Sequence, residues 1–257
     1  RALSHFAGLE KELQKYLNEK IKEKYGRDTK TIYYDVTNFY FEIDTADELR
    51  KYGKSKEGRH NPIVQMGLAM DSGGIPICYK LFGGNKLDGQ TFRPVIGEVR
   101  RKYGTGRIVV VADMGIITGD NIYYLTGEKN MNGYVFSFSV RGGTDAFKEY
   151  VLDDTAYRVP DGKPAAEEAS FKVKSRVIAR DINVSTKSGG KKKKTVYEKQ
   201  VVFWARKYAD KAAAQRSELA KKAAELARDP AKYDRATSYG AARYVKNVEF
   251  DKDTGEL

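Results

Sequence analysis

Two aspartates, one inside a strand-like apolar run and one directly after another, set the chemistry the chain can support. Asp35 lies within residues 31–43 (TIYYDVTNFYFEI), a run rich in aromatic and β-branched residues and therefore read as a strand. A carboxylate buried in such a strand without a partner carries a large desolvation cost. Either a Lys or Arg pairs with it, or the strand is half-exposed, or a divalent cation binds there. Asp113 follows residues 107–112 (RIVVVA), a continuous apolar run of the kind buried on both faces of a sheet. Open α/β sheets gather ligand chemistry at the carboxyl ends of such strands, although Asp also caps turns and helices there.

Two groups of cations accompany these carboxylates. Residues 44–61 include LRKYGKSKEGRH and read as an exposed basic loop, in which Lys54, Lys56 and Arg59 are expected to hold phosphate oxygens. Further on, strand-like arms at 171–186 and 195–207 flank KSGGKKKK. This is a long hairpin with Lys187, Lys191, Lys192, Lys193 and Lys194 at its tip. Across 171–207 a dozen Lys and Arg face only Asp181 and Glu198. Edge strands carry Lys to prevent aggregation, but this excess suits an element that grips a nucleic-acid backbone through salt-sensitive contacts.

The elements that position these groups follow from hydrophobic periodicity. Leu3, Phe6, Leu9, Leu13, Leu17 and Ile21 recur every three or four residues, so 3–25 is expected to form an amphipathic helix packed on the following domain. The runs 63–70 and 75–82, joined by Asp71-Ser72-Gly73-Gly74, make a hairpin that extends the opening strand to three antiparallel strands. Residues 90–103 read as a helix with Phe92, Val95, Ile96 and Val99 on its apolar stripe, Asp88 as N-cap and Pro94 near the first turn. A helix at 117–129 and a strand at 134–140 follow. Beyond them come a loop at 153–170, an Ala-rich helix at 210–228 capped by Asp210, and a strand at 244–250. The order β-β-β-α-β-α-β is the α/β, mixed-sheet plan of the ribonuclease H-like fold. There the first and fourth strands are neighbours about 4.8 Å apart, so Asp35 and Asp113 come within reach of one cation.

Composition narrows the partners. The 257 residues hold 47 Lys and Arg against 35 Asp and Glu, a net charge of +12, which makes nucleic acid the default partner. No run approaches the roughly 18 apolar residues of a membrane helix, and no signal peptide is visible, so no membrane partner is expected. The one cysteine, Cys78, excludes an internal disulfide and fits a reducing cytoplasm.

Taken in order, several segments resemble DDE transposases of bacterial insertion sequences, in the group with a β-rich insertion. They are YYDVTNFYFE at 33–42, LRKYGKSKEGRHNPIVQMGLAMD at 49–71, GGNKLDGQTF at 83–92, RIVVVADMGI at 107–116 and VVFWARKYADKAAAQRSELAKKA at 201–223. The resemblance covers most of the chain. It implies metal-dependent DNA cleavage and strand transfer, with Mg²⁺ or Mn²⁺ held by Asp35 and Asp113 as two members of a catalytic triad. It also implies insertion-sequence ends and target DNA as partners, a homodimer in the full-length form, and a cytoplasmic, nucleoid-associated location. The third member, a Glu within a Tyr-x2-Arg-x3-Glu-x6-Lys pattern, has no counterpart in this chain.

The expected organisation is an N-terminal helix at 1–28, a partial catalytic core at 29–150, a basic β-rich insertion with a helix at 151–245, and the start of a return to the core at 246–257. Such a chain, truncated before the third carboxylate, is expected to bind DNA without cutting it. A ribonuclease H-like nuclease and a non-catalytic DNA-binding relative are the alternatives on the same fold.

Overall fold

A computed structural model describes residues 2–103, 106–127, 132–166, 168–232, 240–241 and 245. The chain divides into two compact units, residues 1–148 with 179–196 and residues 149–178 with 197–257.

The first unit is built on one five-stranded sheet. Its strands are β1 (Thr31–Tyr40), β2 (Ile63–Met70), β3 (Pro76–Gly83), β4 (Val109–Ala112) and β5 (Gly133–Phe136), in the order β3-β2-β1-β4-β5. β1 and β3 run antiparallel to β2, whereas β4 runs parallel to both β1 and β5. This is the ribonuclease H-like arrangement expected from the sequence. The β2–β3 turn is set by Asp71, whose Oδ1 accepts from the N–H groups of Gly73 and Ile75 at 3.0 and 2.9 Å. Gly74 takes the positive φ of 78° that the turn requires.

Alternation along β1 buries Ile32, Tyr34 and Val36 and leaves Tyr33, Asp35 and Phe39 facing out. β1 is therefore half-buried, and the burial cost that made Asp35 look anomalous does not arise. Helix α3 (Asp88–Tyr103) lays Phe92, Val95, Ile96 and Val99 on the inner face, against a core that includes Ile32, Tyr34, Val110 and Leu125. α3 starts at Asp88, so Pro94 sits in the helix interior rather than near its first turn and leaves the Gln90 carbonyl without its helical donor. A 3₁₀ turn, Met114–Ile116, follows β4, and the next helix is the shorter α4 (Gly119–Thr126), capped by the Thr118 hydroxyl accepting from the Asn121 N–H at 3.1 Å.

The N-terminal segment departs from expectation. It forms α1 (Ala2–Gly8) and α2 (Glu10–Tyr25), interrupted at Leu9, and Leu3, Phe6, Leu13 and Leu17 are exposed. Polar groups dock the helix instead. Asn18, the one buried residue of α2, donates to the Ile77 carbonyl, and the Gln14 Oε1 accepts from the Tyr79 N–H at 3.3 Å. β3 is a sheet edge, so satisfying its open backbone groups orients α2 and turns the apolar stripe outward.

Helix α5 (Asp145–Leu152), unforeseen in the sequence, follows β5. The expected hairpin is present as β6 (Phe171–Ser185) and β7 (Lys191–Ala205). In the second unit, the aromatic rings of Tyr150 and Tyr157 flank the buried Lys174, which also donates to the Asp153 carbonyl. Helix α6 (Arg206–Arg228) begins before Asp210; its N-cap is Ala205, without a side-chain cap, and the Arg206 N–H donates to the Ser170 carbonyl at 2.9 Å. Leu226 and Ala241 pack with Leu219, Ala223 and Val245. Apart from Val245, the strand expected at 244–250 and the stretch 246–257 lie outside the described residues. No helix among the described residues is long and apolar enough to cross a membrane.

Candidate metal centre and nucleic-acid interface

The parallel register of β1 and β4 ends at the pair Tyr34 and Ala112. The next residue on each strand is an aspartate: Asp113 just past the carboxyl end of β4, and Asp35 in the middle of the longer β1, which runs on to Tyr40. Both are exposed, and each has a local partner. An Asp35 oxygen lies 3.9 Å from the Lys56 ammonium, the pairing that the sequence left open as one alternative. The Asp113 Oδ1 accepts from the Gly115 N–H at 3.0 Å and caps the 3₁₀ turn. Capping does not remove Asp113 from the site, because the cap itself holds the carboxylate at the strand end.

Another carboxylate, Asp88, outside the Glu pattern, stands beside them, although the sequence marks it only as a helix cap. β3 is parallel to β1 and β4, so the helix that follows β3 starts on the side of the sheet where β4 ends at Asp113. An Asp opening that helix was the available signal. A Cβ built on Gly115 would fall 3.2 Å from both the Asp113 Oδ1 and the Asp88 Oδ2, so the two carboxylates converge on this glycine. Partial burial pushes the Asp88 carboxyl up; the Lys56 charge opposes this, and the charges of Asp113 and Asp35 add to it. The Asp88 backbone is held in turn: its carbonyl accepts from the Thr91 hydroxyl at 2.6 Å, and Thr91 is hydrogen-bonded to the buried Tyr34 hydroxyl at 2.6 Å.

Although these charges act on one another, among the described residues no three His, Cys, Asp or Glu side chains close around a common point tightly enough to hold a metal ion unaided. The donor set is made of hard carboxylate oxygens. That chemistry suits Mg²⁺ or Mn²⁺, ions that take one or two carboxylates and complete their shell with water and substrate oxygens.

The basic loop is tied to β1 rather than loose beside it. The Asn38 side chain donates to the Lys54 carbonyl at 3.3 Å and accepts from the Lys56 N–H at 3.4 Å, and the Lys56 ammonium also donates to the Val36 carbonyl. Gly53 passes so near Gly84 that a Cβ would fall 1.9 Å from the Gly84 carbonyl oxygen. The loop thus places Lys56 at Asp35, while Arg59 is held over the Tyr40 ring at 4.1 Å and near Glu57 at 3.5 Å.

At the hairpin tip the turn closes with Gly189 at φ 84° and the Thr186 N–H donating to the Gly190 carbonyl at 2.8 Å. Lys187, Lys191, Lys192 and Lys193 are exposed, whereas the Lys194 ammonium lies 5.5 Å from the centre of the Tyr123 ring. The distal half of the hairpin belongs to the first unit and is fastened to α4. Asp120 accepts from the Ser185 N–H at 2.7 Å and its hydroxyl at 2.8 Å, with Arg93 at 3.3 Å. Burial alone would raise the Asp120 carboxyl, but Ser185 and Arg93 outweigh it and hold it below the ordinary value.

No protein family matches the chain, and no curated protein does. Among solved structures, similarity is found to a piggyBac transposase synaptic complex with hairpin DNA, at 10% identity and a TM-score of 0.36, over 66% of this chain and 32% of that one. It is also found to a Mos1 transposase paired-end complex with left transposon end, at 14% identity and a TM-score of 0.26, over 49% of this chain and 40% of that one. A Mos1 mariner paired end complex with Mn shows 12% identity and a TM-score of 0.24, over 47% of this chain and 39% of that one. The chain thus spans about a third of the piggyBac protein and two fifths of Mos1. At such identities and scores these likenesses assign no activity to the chain.

Proposed function

We propose that this chain is a DNA-binding portion of a DDE transposase of the insertion-sequence type. The observation that supports the reading is the β1–β4 register, which ends one residue before both Asp35 and Asp113, with Lys56 beside Asp35. Under this reading the two aspartates hold Mg²⁺ or Mn²⁺, which when bound supplies Lewis-acid stabilisation of a phosphoryl oxygen and a more acidic water. Lys54, Lys56 and Arg59 orient the DNA phosphate next to the carboxylates. Lys187 and Lys191 to Lys194 grip the backbone at a distance, without reading bases. The basic β-rich insertion at 151–245 favours this over a ribonuclease H-like nuclease, whose core needs no such element. In the full-length form the partners are insertion-sequence ends and target DNA, engaged by a homodimer in the nucleoid.

Since no Glu stands in the pattern of the third carboxylate, the chain itself binds DNA without cleaving or joining it. The test is a binding and cleavage assay on duplex DNA with and without Mn²⁺. Salt-sensitive binding with intact strands is expected. Strand transfer by this chain, or failure to bind DNA at any salt concentration, contradicts the proposal.

A further inference from the structure

Asn121 is a buried polar residue that the carboxylate chemistry does not use directly. It is 1% exposed, on the first turn of α4. Its Nδ2 donates to the Gly89 carbonyl at 2.8 Å and to the Ile116 carbonyl at 2.9 Å, while its Oδ1 accepts from the Arg93 Nε at 3.3 Å. The arginine fixes which way the amide faces, and both N–H donors then point at backbone carbonyls.

Those two carbonyls belong to the segments that carry carboxylates. Gly89 adjoins Asp88 at the start of α3, and Ile116 ends the 3₁₀ turn that Asp113 caps. The segments touch: a Cβ on Gly89 would fall 3.0 Å from the Thr118 Cγ2 and 3.6 Å from the Gly115 carbonyl oxygen. A single side-chain amide therefore bridges the backbone next to Asp88 and the backbone next to Asp113. A hydroxyl has one donor and cannot span both carbonyls, and an alanine leaves both without it.

We infer that Asn121 is a positioning residue of the carboxylate centre, fixing the placement of the Asp113 turn against Asp88 and so tuning cation affinity. The inference rests on the proposed role of Asp35 and Asp113 in holding a divalent cation. Groups that orient metal ligands without touching the metal typically change affinity by about 10- to 100-fold when removed.

The test is calorimetric titration of the whole chain with MnCl₂, comparing wild type with Asn121→Ala and Asn121→Ser. The control is Asn132→Ala. Asn132 is also buried, but its Oδ1 accepts from the Ile108 N–H at 3.1 Å, near the opposite end of β4. The expected result is a Mn²⁺ Kd raised about tenfold by either Asn121 change and little altered by Asn132→Ala. Thermal melts identify the variants that remain folded, and Asn121→Ser serves where Asn121→Ala does not. Unchanged affinity in a folded Asn121 variant, or an equal loss in Asn132→Ala, overturns the positioning role and leaves the metal reading standing. Absence of Mn²⁺ binding by wild type overturns the metal reading itself, and this inference with it.

Discussion

The Lys56 ammonium lies 3.9 Å from an Asp35 carboxylate oxygen and donates to the carbonyl of Val36, the next residue along the same strand. A fixed cation thus stands at the carboxylate that is expected to receive a metal. Both side chains are about half exposed, 48% and 60%, so the pair is worth about 0.2–1 kcal/mol. Lys56→Met is therefore expected to tighten Mn²⁺ binding by up to about fivefold. The same change should weaken DNA binding. Calorimetry with Mn²⁺ and fluorescence anisotropy with duplex DNA measure the two effects, and loss of both affinities together contradicts the competition between Lys56 and metal.

The hairpin tip makes a separate prediction because its cations are exposed. Replacing Lys187, Lys191, Lys192 and Lys193 with Ala is expected to flatten the dependence of log K on log salt by about 0.9 for each DNA phosphate that is no longer neutralised. Lys194, whose ammonium lies on the Tyr123 ring, should contribute less to that slope. An unchanged slope removes the tip from the DNA interface.

The attachment of that hairpin to α4 depends on a glycine. A Cβ on Gly119 would fall 2.1 Å from the Asn183 carbonyl oxygen, a backbone atom that cannot rotate away. Gly119→Ala is expected to force β6 off α4, break the Ser185–Asp120 hydrogen bonds and cost about 1–3 kcal/mol. Urea unfolding gives the loss, and hydrogen exchange at Ser185 locates it. Wild-type stability with a protected Ser185 amide contradicts the close packing.

Buried acids set the alkaline limit. Burial pushes the Cys78 thiol up to about 12, and burial likewise raises the Tyr103 hydroxyl to about 12. The folded state therefore keeps protons that the unfolded chain loses from about pH 8.5 for Cys and about pH 10 for Tyr. Their contribution is fully present below those values and is lost as pH rises toward 12. The urea midpoint should fall between pH 8 and pH 11, and by less in Cys78→Ala. A thiol reagent at pH 8 should leave the folded protein unmodified and label it once unfolded. Rapid labelling of folded protein contradicts the burial of Cys78.

The strand order was legible because local signals fixed each step. The Asp71 to Gly74 turn marks one hairpin, the Ser188-Gly189-Gly190 turn before Lys191 marks another, and the Phe92, Val95, Ile96 and Val99 stripe marks α3. Contact between β1 and β4 then followed from connectivity. What escaped were effects that no local pattern records. Composition alone left open whether 31–43 is buried or half-exposed, and the alternation of Ile32, Tyr34 and Val36 with Tyr33 and Asp35 is what makes it a strand with one wet face. The placement of Asp88 needed the direction of β3, and the bridge made by Asn121 needed two carbonyls from separate segments. The N-terminal stripe misled because periodicity does not say what a face packs against: α2 meets the open edge of β3 through Gln14 and Asn18, and Leu3, Phe6, Leu13 and Leu17 stay exposed.

The central claim is that Asp35 and Asp113 share one divalent cation, and Mn²⁺ titration of wild type, Asp35→Asn and Asp113→Asn tests it most directly. One Mn²⁺ bound by wild type, weakened about tenfold or more by either change, is the predicted result. Equal Mn²⁺ affinity in all three proteins contradicts it.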